Sequence, residues 1–385
     1  MERRQVLQLI GGGVIAAAIA PLSGCSDELP ASAIAAWKGP GNEPDLRRWV
    51  LSHAILAPHS HNLQSWIVDL REPELIRLHM DITRILPYTD PYSRQMVMSQ
   101  GTFLELLDLA ARQRGYRAEI EMFPRGEYGP SGPDDRPTAE IRLVQDAQLT
   151  PDPLFVQIFR RHTNRLAYAS RISDSDAIAA IYANAANDTT SIGFSGIGAD
   201  RNPQAHRDIA MQAWKTEITT ARTMLESLKL MRVGPGEIAE NRDGIAINAP
   251  MVRFLSAVGL FDRDKATPPD SASVQTQIDT FNEAIASTPA FFRMTTEGNS
   301  RTTQLLAGRA YARAQLAATA YGLSMHPLQQ ALQEYPEQSG AYAAIHDLVG
   351  AQRPSQTVQM WARIGYGPPI GPSPRRGLEA HFVKA

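Results

Sequence analysis

A repeated small-residue pattern on two predicted helices is the feature that most limits how this chain can fold. The two copies are Gly101…Leu109-Ala110-Ala111…Gly115 and Gly308…Leu316-Ala317-Ala318…Gly322. Small side chains on one helix face let another backbone approach closely, and each copy is followed by a predicted strand. The repeat therefore predicts two related α+β halves that bury a shared interface, so that one chain forms a pseudo-dimer. Chance similarity in an alanine-rich chain is the alternative.

The composition indicates a soluble globular protein and gives no support to nucleic-acid binding. The 385 residues are enough for one large domain or two fused units, and 43% are hydrophobic and 20% charged. The formal net charge is -2, and the sequence has no concentrated basic stripe. A chain with this charge has no electrostatic attraction towards the phosphate backbone of a nucleic acid.

The first 25 residues have the layout of an export signal. A short charged start at Arg3-Arg4 precedes an apolar centre from Leu7 to Ala20, and Leu22-Ser23-Gly24-Cys25 follows. The start resembles a twin-arginine signal, and the last four residues resemble a bacterial lipobox. Together they predict export, lipid modification at Cys25 and attachment to the periplasmic face of a bacterial membrane. An ordinary secretory signal with an incidental cysteine is the alternative. Because the chain has one cysteine, no intrachain disulfide can form.

Composition and periodicity divide the rest of the chain into a tether, two halves and one insertion. Residues 26–44 are rich in Pro, Gly, Ala and Ser, which indicates a tether. The first half is predicted over 45–150 and the second half over 151–385. Residues 233–270 contain glycine and proline breaks between short apolar pieces, which is typical of a lid or an irregular excursion.

Hydrophobic spacing predicts the regular elements of both halves. The predicted helices are 45–56, 101–115, 174–186, 205–231, 308–321 and 339–349. The predicted strands are 66–70, 75–80, 117–123, 140–144, 190–194, 290–294 and 357–364.

A dense polar segment near the middle of the chain indicates an anion site. Arg161-His162-Thr163-Asn164-Arg165 follows the apolar run from Leu154 to Phe159 and precedes a predicted helix cap at Ser173-Asp174. A guanidinium offers a planar fork of donors that fits a phosphate edge, and a hydroxyl or backbone N–H can fill the remaining oxygens. The segment therefore predicts a site for the phosphate of a cofactor. A solvated polar helix end is the alternative.

Two further stretches are notable, although each has an ordinary structural explanation when taken alone. They are the loop Pro58-His59-Ser60-His61-Asn62-Leu63-Gln64-Ser65-Trp66 and the terminal pair Arg375-Arg376. The loop is compatible with a strand start that has a core Trp, and the pair with a solvated tail. His53, His59 and His61 suggest a metal, but no Asp, Glu or Cys joins them at ligand spacing. The sequence has no recognisable Ser/His/Asp arrangement or Gly-rich phosphate loop.

The polar segment, the loop and the terminal pair together resemble the motifs of the nitroreductase family. The resemblance is to the branch in which two family units are fused in one chain (the Acg-type proteins). It implies an α+β, nitroreductase-like fold that holds FMN at the interface between two units. One unit supplies an arginine segment and a basic pair near its C-terminus. The other unit supplies a Pro-Ser-x-x-Asn-x-Gln-Pro-Trp loop.

The family motifs are divided between the two halves of this chain. The loop is in the first half, whereas the arginine segment and the terminal pair are in the second, and neither signal has a second copy. One FMN per chain is therefore expected. His59 and Ser65 depart from the family loop, in which Ser and Pro are usual.

The resemblance also implies which residues hold the cofactor. The residues expected to contact FMN are Ser60, Asn62, Gln64, Arg161, His162, Thr163, Arg165, Arg375 and Arg376. Arg161, Thr163 and one of the two terminal arginines would ligate the phosphate, and His162 would assist there or line the ribityl chain. Arg165, one helical turn further on, would face the N1 and O2 edge of the ring, where a cation raises the potential of the flavin.

The implied activity is that of an oxidoreductase that passes hydride or electrons through FMN to a nitro or quinone-type acceptor. No acid–base residue of the protein is required, because the flavin does the chemistry. Two alternatives are open from the sequence. One is a protein that stores FMN without turnover, and the other is a flavin-free envelope lipoprotein that keeps the fold as a scaffold.

Overall fold

The first half of the chain forms an antiparallel four-stranded sheet with one long helix. The computed structural model describes residues 28–171, 173–197 and 203–383. The elements of this half are α1 (Leu46–Ala54), β1 (Trp66–Asp69), β2 (Leu75–Met80), α2 (Arg94–Gln113), β3 (Tyr116–Met122) and β4 (Ala139–Gln145). The strand order is β1-β2-β4-β3, and every neighbouring pair is antiparallel.

The second half forms another antiparallel four-stranded sheet and has more helices. Its first elements are α3 (Ser175–Ala185), β5 (Thr190–Ser195), α4 (Gln204–Thr219), α5 (Ala221–Lys229), β6 (Met231–Val233), α6 (Gly234–Asn241) and β7 (Ile245–Ile247). The remaining elements are α7 (Pro250–Ala257), α8 (Ala272–Ala286), β8 (Ala290–Glu297), α9 (Arg301–Ala320), β9 (Ser324–Pro327), α10 (Ser339–Val349) and β10 (Gln356–Gly365). The order of the sheet is β5-β8-β10-β9, again with antiparallel neighbours.

Both sheets follow the same plan when the inserted elements are set aside. In each half, a short helix and two strands precede the long helix, and two strands follow it. In each sheet the spatial order of these strands is first, second, fourth, third. The predicted α+β class is confirmed, and a shared plan is what two related halves require.

The long helices α2 and α9 pack against each other at two glycines. A Cβ atom on Gly101 would lie 1.9 Å from the carbonyl oxygen of Leu305, and one on Gly308 would lie 1.9 Å from that of Met98. Only a residue without a side chain fits at either position. The close approach predicted from the repeat is therefore confirmed. Both helices begin earlier than predicted, because the small residues mark only the region of contact.

Charged residues complete this helix pair at its edge. Arg309 Nε lies 2.7 Å from Glu105 Oε2, and Arg313 Nη1 lies 2.9 Å from Glu105 Oε1. Arg309 also contacts Asp108, and Arg313 contacts Asp152. Each buried or half-buried charge in this network has an opposite charge beside it, which is how proteins usually tolerate buried charge.

A large insertion separates β5 from β8. The connection spans residues 196–289, whereas β1 and β2 are joined by 70–74. It contains α4 to α8 and the parallel ribbon β6-β7. The insertion has its own hydrophobic cluster, which includes Met224, Val252, Leu255 and Val274. The prediction of an irregular 233–270 is wrong for the part that forms α6, β7 and α7, because their short apolar pieces share this cluster.

Two other expectations differ from the structure. The predicted helix 205–231 is divided into α4 and α5, because Thr220 has an extended backbone (φ −86°, ψ 111°). The described part of the expected tether packs on the body of the protein. Ala33 is fully buried and its carbonyl accepts a hydrogen bond from Arg375 N at 2.8 Å. The indole Nε1 of Trp37 donates to the carbonyl of Ser373 at 2.8 Å. The apolar ring of Trp37 also gives this segment a surface to bury.

The predicted export signal, including Cys25, lies outside the described residues. Export and lipid attachment therefore stay predictions from the sequence. Across the described residues, no helix combines the length and the apolar character needed to cross a bilayer.

Candidate functional site

Two buried arginines meet at the junction of the two halves. Arg161 Nη2 donates to the carbonyl of Leu56 at 3.2 Å, and Arg375 Nη2 lies 3.5 Å from the same oxygen. Arg375 also donates to the carbonyl of Ala57 at 3.1 Å, and Arg161 Nη1 donates to Gln315 Oε1 at 3.1 Å. The two residues are 2% and 3% exposed. The carbonyl groups just after α1, in the first half, thus contact guanidinium groups from two distant parts of the second half.

Within the described residues, neither guanidinium has a counter-ion. The ion pairs of the described residues involve other arginines, such as Arg94 and Arg309, and none includes Arg161 or Arg375. The Nε atoms of both also have no hydrogen-bond partner within the described chain. Burial lowers the pKa of Arg161 to about 10. Burial first, and the charge of Arg161 second, lower the pKa of Arg375 well below its ordinary value.

The chemistry of this arginine pair fits a phosphate. Two desolvated cations that repel each other destabilise a fold unless an anion compensates them. A phosphate carries the missing charge, and its oxygens can accept from guanidinium donors that the protein leaves unused. The pair is therefore the strongest candidate for a ligand site among the described residues.

Trp37 covers the arginine pair. Its ring centroid lies 5.9 Å from Arg161 Cζ and 5.3 Å from Arg375 Cζ, which are cation–π distances. The ring of His162 lies 5.5 Å from the same indole. Desolvation, followed by the charges of the two arginines, lowers the pKa of His162 to about 4. His162 is therefore neutral near pH 7 and adds no third charge to the pair.

His59 fixes the conformation of the loop from the first half. Its Nδ1 lies 2.8 Å from the carbonyl of Ser60, and its Nε2 lies 3.1 Å from the backbone N–H of Ser65. An imidazole protonated at Nδ1 alone satisfies both contacts, and burial lowers the pKa of His59 to about 3. His59, one of the two residues that depart from the family motif, is thus a neutral structural histidine. Ser60 belongs to the same network, since its N–H donates to Ser99 Oγ at 3.2 Å.

Asn62 and Gln64 bind the C-terminal arm and the insertion. Asn62 accepts a hydrogen bond from Arg375 and donates to the carbonyl of Gly244 at 3.3 Å. Gln64 Oε1 accepts from Arg376 N at 2.9 Å, and its Nε2 donates to the carbonyl of Arg242 at 2.9 Å. Both residues have left-handed backbones, with φ of 55° and 54°. Strain of this kind persists where surrounding contacts determine the conformation, and it is frequent at functional sites.

The two terminal arginines have different neighbours. Arg375 joins Arg161 and Asn62, as described above. The guanidinium of Arg376 instead contacts the carbonyl of Gln64 and lies 3.4 Å from His381 Nδ1. The structure therefore favours Arg375 as the terminal partner of Arg161, and Arg376 as a residue that holds the loop.

Beside the arginine pair, Arg165 lies close enough to His61 and Tyr311 for its charge to act on both. Arg165 is exposed, yet surrounding protein desolvates its guanidinium and lowers its pKa. Desolvation first, and the charge of Arg165 second, lower the pKa of the half-buried His61 to about 4. The buried hydroxyl of Tyr311 has no partner in the described chain, and the charges of Arg161 and Arg165 both act on it.

The segment that carries Arg161 to Arg165 is extended. Thr163 forms a parallel bridge with Met325 of β9, and Asn164 N donates to the carbonyl of Met325 at 3.3 Å. The prediction that Arg165 lies one helical turn beyond Arg161 is therefore wrong, because pairing with β9 replaces the helical hydrogen bonds. Gln315 Nε2 lies 3.4 Å from Thr163 Oγ1, so one side chain of α9 reaches both Arg161 and Thr163.

Most of the predicted residues lie together, and three further residues join them. Trp37, Tyr311 and Gln315 were not indicated by the sequence motifs. Tyr311 and Gln315 are four residues apart on α9 and therefore share one face of that helix. Polar residues at this spacing on the repeated helix were the sequence signal that could have identified them. No comparable signal identifies Trp37, because its position depends on how the N-terminal segment folds back.

The second half has no counterpart of the loop, and the histidines do not form a metal site in the described residues. Residues 186–189 join α3 to β5, whereas 55–65 join α1 to β1 in the first half. His53 packs its ring between Trp49 and Phe155. Within the described ranges, no group of three His, Cys, Asp or Glu is arranged to hold a metal ion.

The fold and the site together define an α+β protein with an uncompensated cationic site at the junction of two similar halves. The chain is 27% identical, over 343 residues, to a protein of Mycobacterium tuberculosis H37Rv that carries the provisional name NAD(P)H nitroreductase. The match covers 86% of this chain and 89% of that protein, and the corresponding protein of strain CDC 1551 gives the same values. The resemblance to the nitroreductase family is therefore confirmed over most of the chain.

Other comparisons are weaker. An uncharacterised protein of Mycobacterium tuberculosis H37Rv is 29% identical over 128 residues, which is 31% of this chain and 36% of that protein. The FMN- and NADPH-dependent nitroreductase NfnB from Sphigopyxis sp. strain HMH superposes with a TM-score of 0.36 at 15% identity, covering 61% of this chain and 99% of that one. A nitroreductase, provisionally so named, from Anabaena variabilis ATCC 29413 has a TM-score of 0.34 at 11% identity, with coverages of 87% and 91%. No protein-family model matches the chain.

Proposed function

We propose that this protein is an FMN-binding oxidoreductase of the nitroreductase type. The observation that carries the proposal is the buried pair Arg161 and Arg375, which has unused donors and no carboxylate partner among the described residues. FMN brings the dianionic phosphate that this pair lacks. The similarity to a relative named as an NAD(P)H nitroreductase supports the same class of reaction.

Arg161 and Arg375 would hold the phosphate of FMN. Each charge-assisted hydrogen bond to a phosphate oxygen stabilises the complex by about 1.5–3 kcal/mol. Thr163 and the neutral His162 lie beside the pair and would complete the ligation. Trp37 would exclude water from the phosphate, which strengthens the electrostatic contacts in the site.

Arg165, His61 and Tyr311 would surround the isoalloxazine ring and the ribityl chain. Bound FMN supplies hydride or electron transfer, which the side chains of the protein cannot perform. The desolvated cation of Arg165 would raise the potential of the cofactor, because it favours added negative charge. His61 is neutral near pH 7 and does not add to this charge. Asn62 and Gln64 would position the loop backbone and the C-terminal arm.

The proposed acceptor is a nitro or quinone-type compound, and NAD(P)H, the nucleotide in the relative's name, is the donor to be tested. The flavin does the redox chemistry, so the chain needs to bind and orient both substrates rather than to provide an acid or a base. The neutral His61 and the hydroxyl of Tyr311, which has no partner in the described chain, are polar groups available for orientation near Arg165.

A second candidate function is storage of FMN without turnover. The observation that favours it is the closure of the phosphate site, because Arg161 and Arg375 are 2% and 3% exposed beneath Trp37. The turn Arg242 to Gly244 of the insertion also covers Asn62 and Gln64. A site closed on both sides retains its ligand and slows exchange with the surroundings.

We also propose that the mature protein is a lipoprotein on the periplasmic face of a bacterial membrane. The proposal rests on the twin-arginine-like start and the lipobox-like end of residues 1–25. Export in a folded state suits a cofactor that is made in the cytoplasm and enclosed by the chain.

Absorbance of the purified full chain tests the cofactor. After incubation with excess FMN and removal of unbound ligand, we expect the visible flavin bands and about one FMN per chain. Riboflavin is the matched control ligand, because it has the same ring without the phosphate, and we expect it to bind at least about tenfold more weakly. Protein that stays colourless with FMN, or that binds riboflavin equally well, would contradict the phosphate assignment.

Anaerobic reduction separates the enzyme from the store. An oxidoreductase should lose its flavin absorbance on addition of NADH or NADPH and regain it on addition of a nitroaromatic or a quinone. A store should keep the oxidised spectrum with either nucleotide and still be reduced by dithionite. Turnover without any change in the flavin spectrum would contradict both candidates.

A further inference from the structure

The outer face of α7 is an unusually exposed apolar surface. This surface comprises Met251 and Phe254 on α7 and Val258 and Leu260 directly after it, which are 49%, 57%, 49% and 50% exposed. They represent four of the twelve large hydrophobic residues that are exposed in the described chain, although they lie within ten positions of one another. The opposite face of α7 buries Val252 and Leu255 in the hydrophobic cluster of the insertion. A helix that is apolar on both faces loses stability in water unless a second apolar medium covers the outer face.

The described chain begins next to this surface. Asn248 Nδ2 donates to the carbonyl of Glu28 at 3.0 Å, and Asn248 directly precedes Ala249, the N-cap of α7. Cys25 is three residues before Glu28, and three residues span at most about 10 Å. A lipid attached at Cys25 would therefore enter its bilayer close to the N-terminal end of α7.

The charges around α7 are balanced. Arg253 is exposed on the helix itself, and Lys265 follows on the next loop. Asp262 and Asp264 are exposed near Lys265 and offset these cations. Arg263 is paired with Glu237 at 2.7 Å. The surface has headgroup-binding cations at its edge but no excess of positive charge, so apolar contact rather than salt-sensitive attraction would dominate its binding.

We propose that the outer face of α7 lies in the headgroup layer of the membrane to which Cys25 anchors the chain. This inference rests on the lipoprotein assignment proposed above and goes beyond it by naming the protein surface that meets the bilayer. Met251, Phe254, Val258 and Leu260 supply an apolar face of the kind that interfacial helices bury at the headgroup and acyl boundary. The anchor and the helix hold the body in one orientation, because two separated contacts prevent rotation about a single tether.

A fluorescent label in α7 tests the proposal on the full-length lipoprotein. With Cys25 acylated, Val258→Cys provides the one free thiol, which is labelled with an environment-sensitive fluorophore. The matched control is Tyr182→Cys in α3, a position that is 54% exposed. Both proteins are placed in vesicles of phosphatidylethanolamine and phosphatidylglycerol, with and without lipids that carry bromine on the acyl chains. We expect a blue shift and several-fold stronger bromine quenching at position 258 than at position 182, with little change at high salt.

Additional measurements keep the possible failures distinguishable. Phe254→Glu should remove most of the quenching at position 258 while the protein still floats with the vesicles through its lipid. Equal quenching at 258 and 182, or none at 258, would overturn the proposal. A stable dimer in detergent that Phe254→Glu dissociates would also overturn it, because a second copy would then cover α7. Mass spectrometry of the N-terminus and flavin absorbance of the same samples report separately on acylation and on FMN binding, and an unmodified Cys25 would refute the anchor on which the proposal rests.

Discussion

Replacing Arg161 with methionine should separate a ligand-binding charge from a structural one. Methionine keeps an unbranched apolar stem of similar reach and removes the guanidinium. If the charge serves a bound phosphate, its removal should weaken FMN binding strongly, and the effect on the stability of the apoprotein should be moderate. If the charge serves the fold, the opposite pattern should appear.

The magnitudes follow from the surroundings of Arg161. A fall of its pKa from 12.5 to about 10 means that the folded apoprotein disfavours the charged form by about 3 kcal/mol. The methionine variant recovers this energy but loses hydrogen bonds of 3.1 Å to Gln315 and 3.2 Å to Leu56, which together contribute about 3–6 kcal/mol. The net change in the free energy of unfolding of the apoprotein should therefore be within about 3 kcal/mol, with a central value near 1–2. Loss of a charge-assisted bond to phosphate should raise the Kd for FMN by about 10- to 150-fold.

The assay combines urea unfolding of the apoprotein with titration of FMN, followed by flavin fluorescence. Arg309→Met is the matched control, because Arg309 lies 2.7 Å from the buried carboxylate of Glu105 and away from the arginine pair. That variant should lose about 1.5–3 kcal/mol of stability, because Glu105 keeps Arg313 as a partner. Once folded, it should bind FMN as the natural protein does. An Arg161→Met protein that unfolds as easily as the control, yet has an unchanged Kd for FMN, would refute the phosphate assignment.

Three other predictions follow from single contacts. Trp37→Ala should speed the release of FMN on dilution by about tenfold, because two cation–π contacts of about 0.5–2 kcal/mol are lost, and Trp37→Phe should retain part of the effect. Gly101→Ala should lower the free energy of unfolding in urea by about 3 kcal/mol or more, since the added Cβ meets a backbone oxygen at 1.9 Å, whereas Gly340→Ala has open space and should change it by less than about 1 kcal/mol. Burial raises the pKa of Glu217 from 4.5 to about 7, so stability present below about pH 4.5 is lost as the pH rises to about 7. Glu217→Gln should abolish that slope, which amounts to about 3 kcal/mol, in denaturant titrations across this range.

The regular core of each half can be predicted from local sequence because its signals are local. From Ile76 to Met80, the residues of β2 alternate between buried and half-buried positions, and the predicted bounds equal the observed Leu75–Met80. The glycines at 101 and 308 predict the contact between α2 and α9, because no other residue permits that distance. Insertion elements such as β7 and α7 could not be predicted in this way. Their apolar pieces are too short to show a period and become regular only when they share a cluster.

In the candidate site, the local composition identifies the charged segment, whereas the conformation and the partners of that segment depend on distant residues. The two arginines in 161–165 indicate a candidate anion site, but not that the segment is extended. That conformation depends on pairing with Met325, which lies far away in sequence. The choice between Arg375 and Arg376 likewise depends on which of them reaches Leu56 and which reaches Gln64. A local pattern can identify a charged segment, whereas the partners of each charge are a property of the tertiary structure.

The position of Trp37 connects the cofactor site to the N-terminal segment. Trp37 covers Arg161 and Arg375, and the same segment leads back to Glu28 beside α7. Because both arginines are almost completely buried, a phosphate reaches them only before this segment docks or after it is displaced. The repulsion between the two cations opposes docking in the apoprotein, and a bound phosphate removes that repulsion. Binding of FMN and closure of the N-terminal segment should therefore favour each other. A chain exported in the folded state would then leave the cytoplasm with its cofactor enclosed, and the anchor at Cys25 would begin at the segment that closes the site.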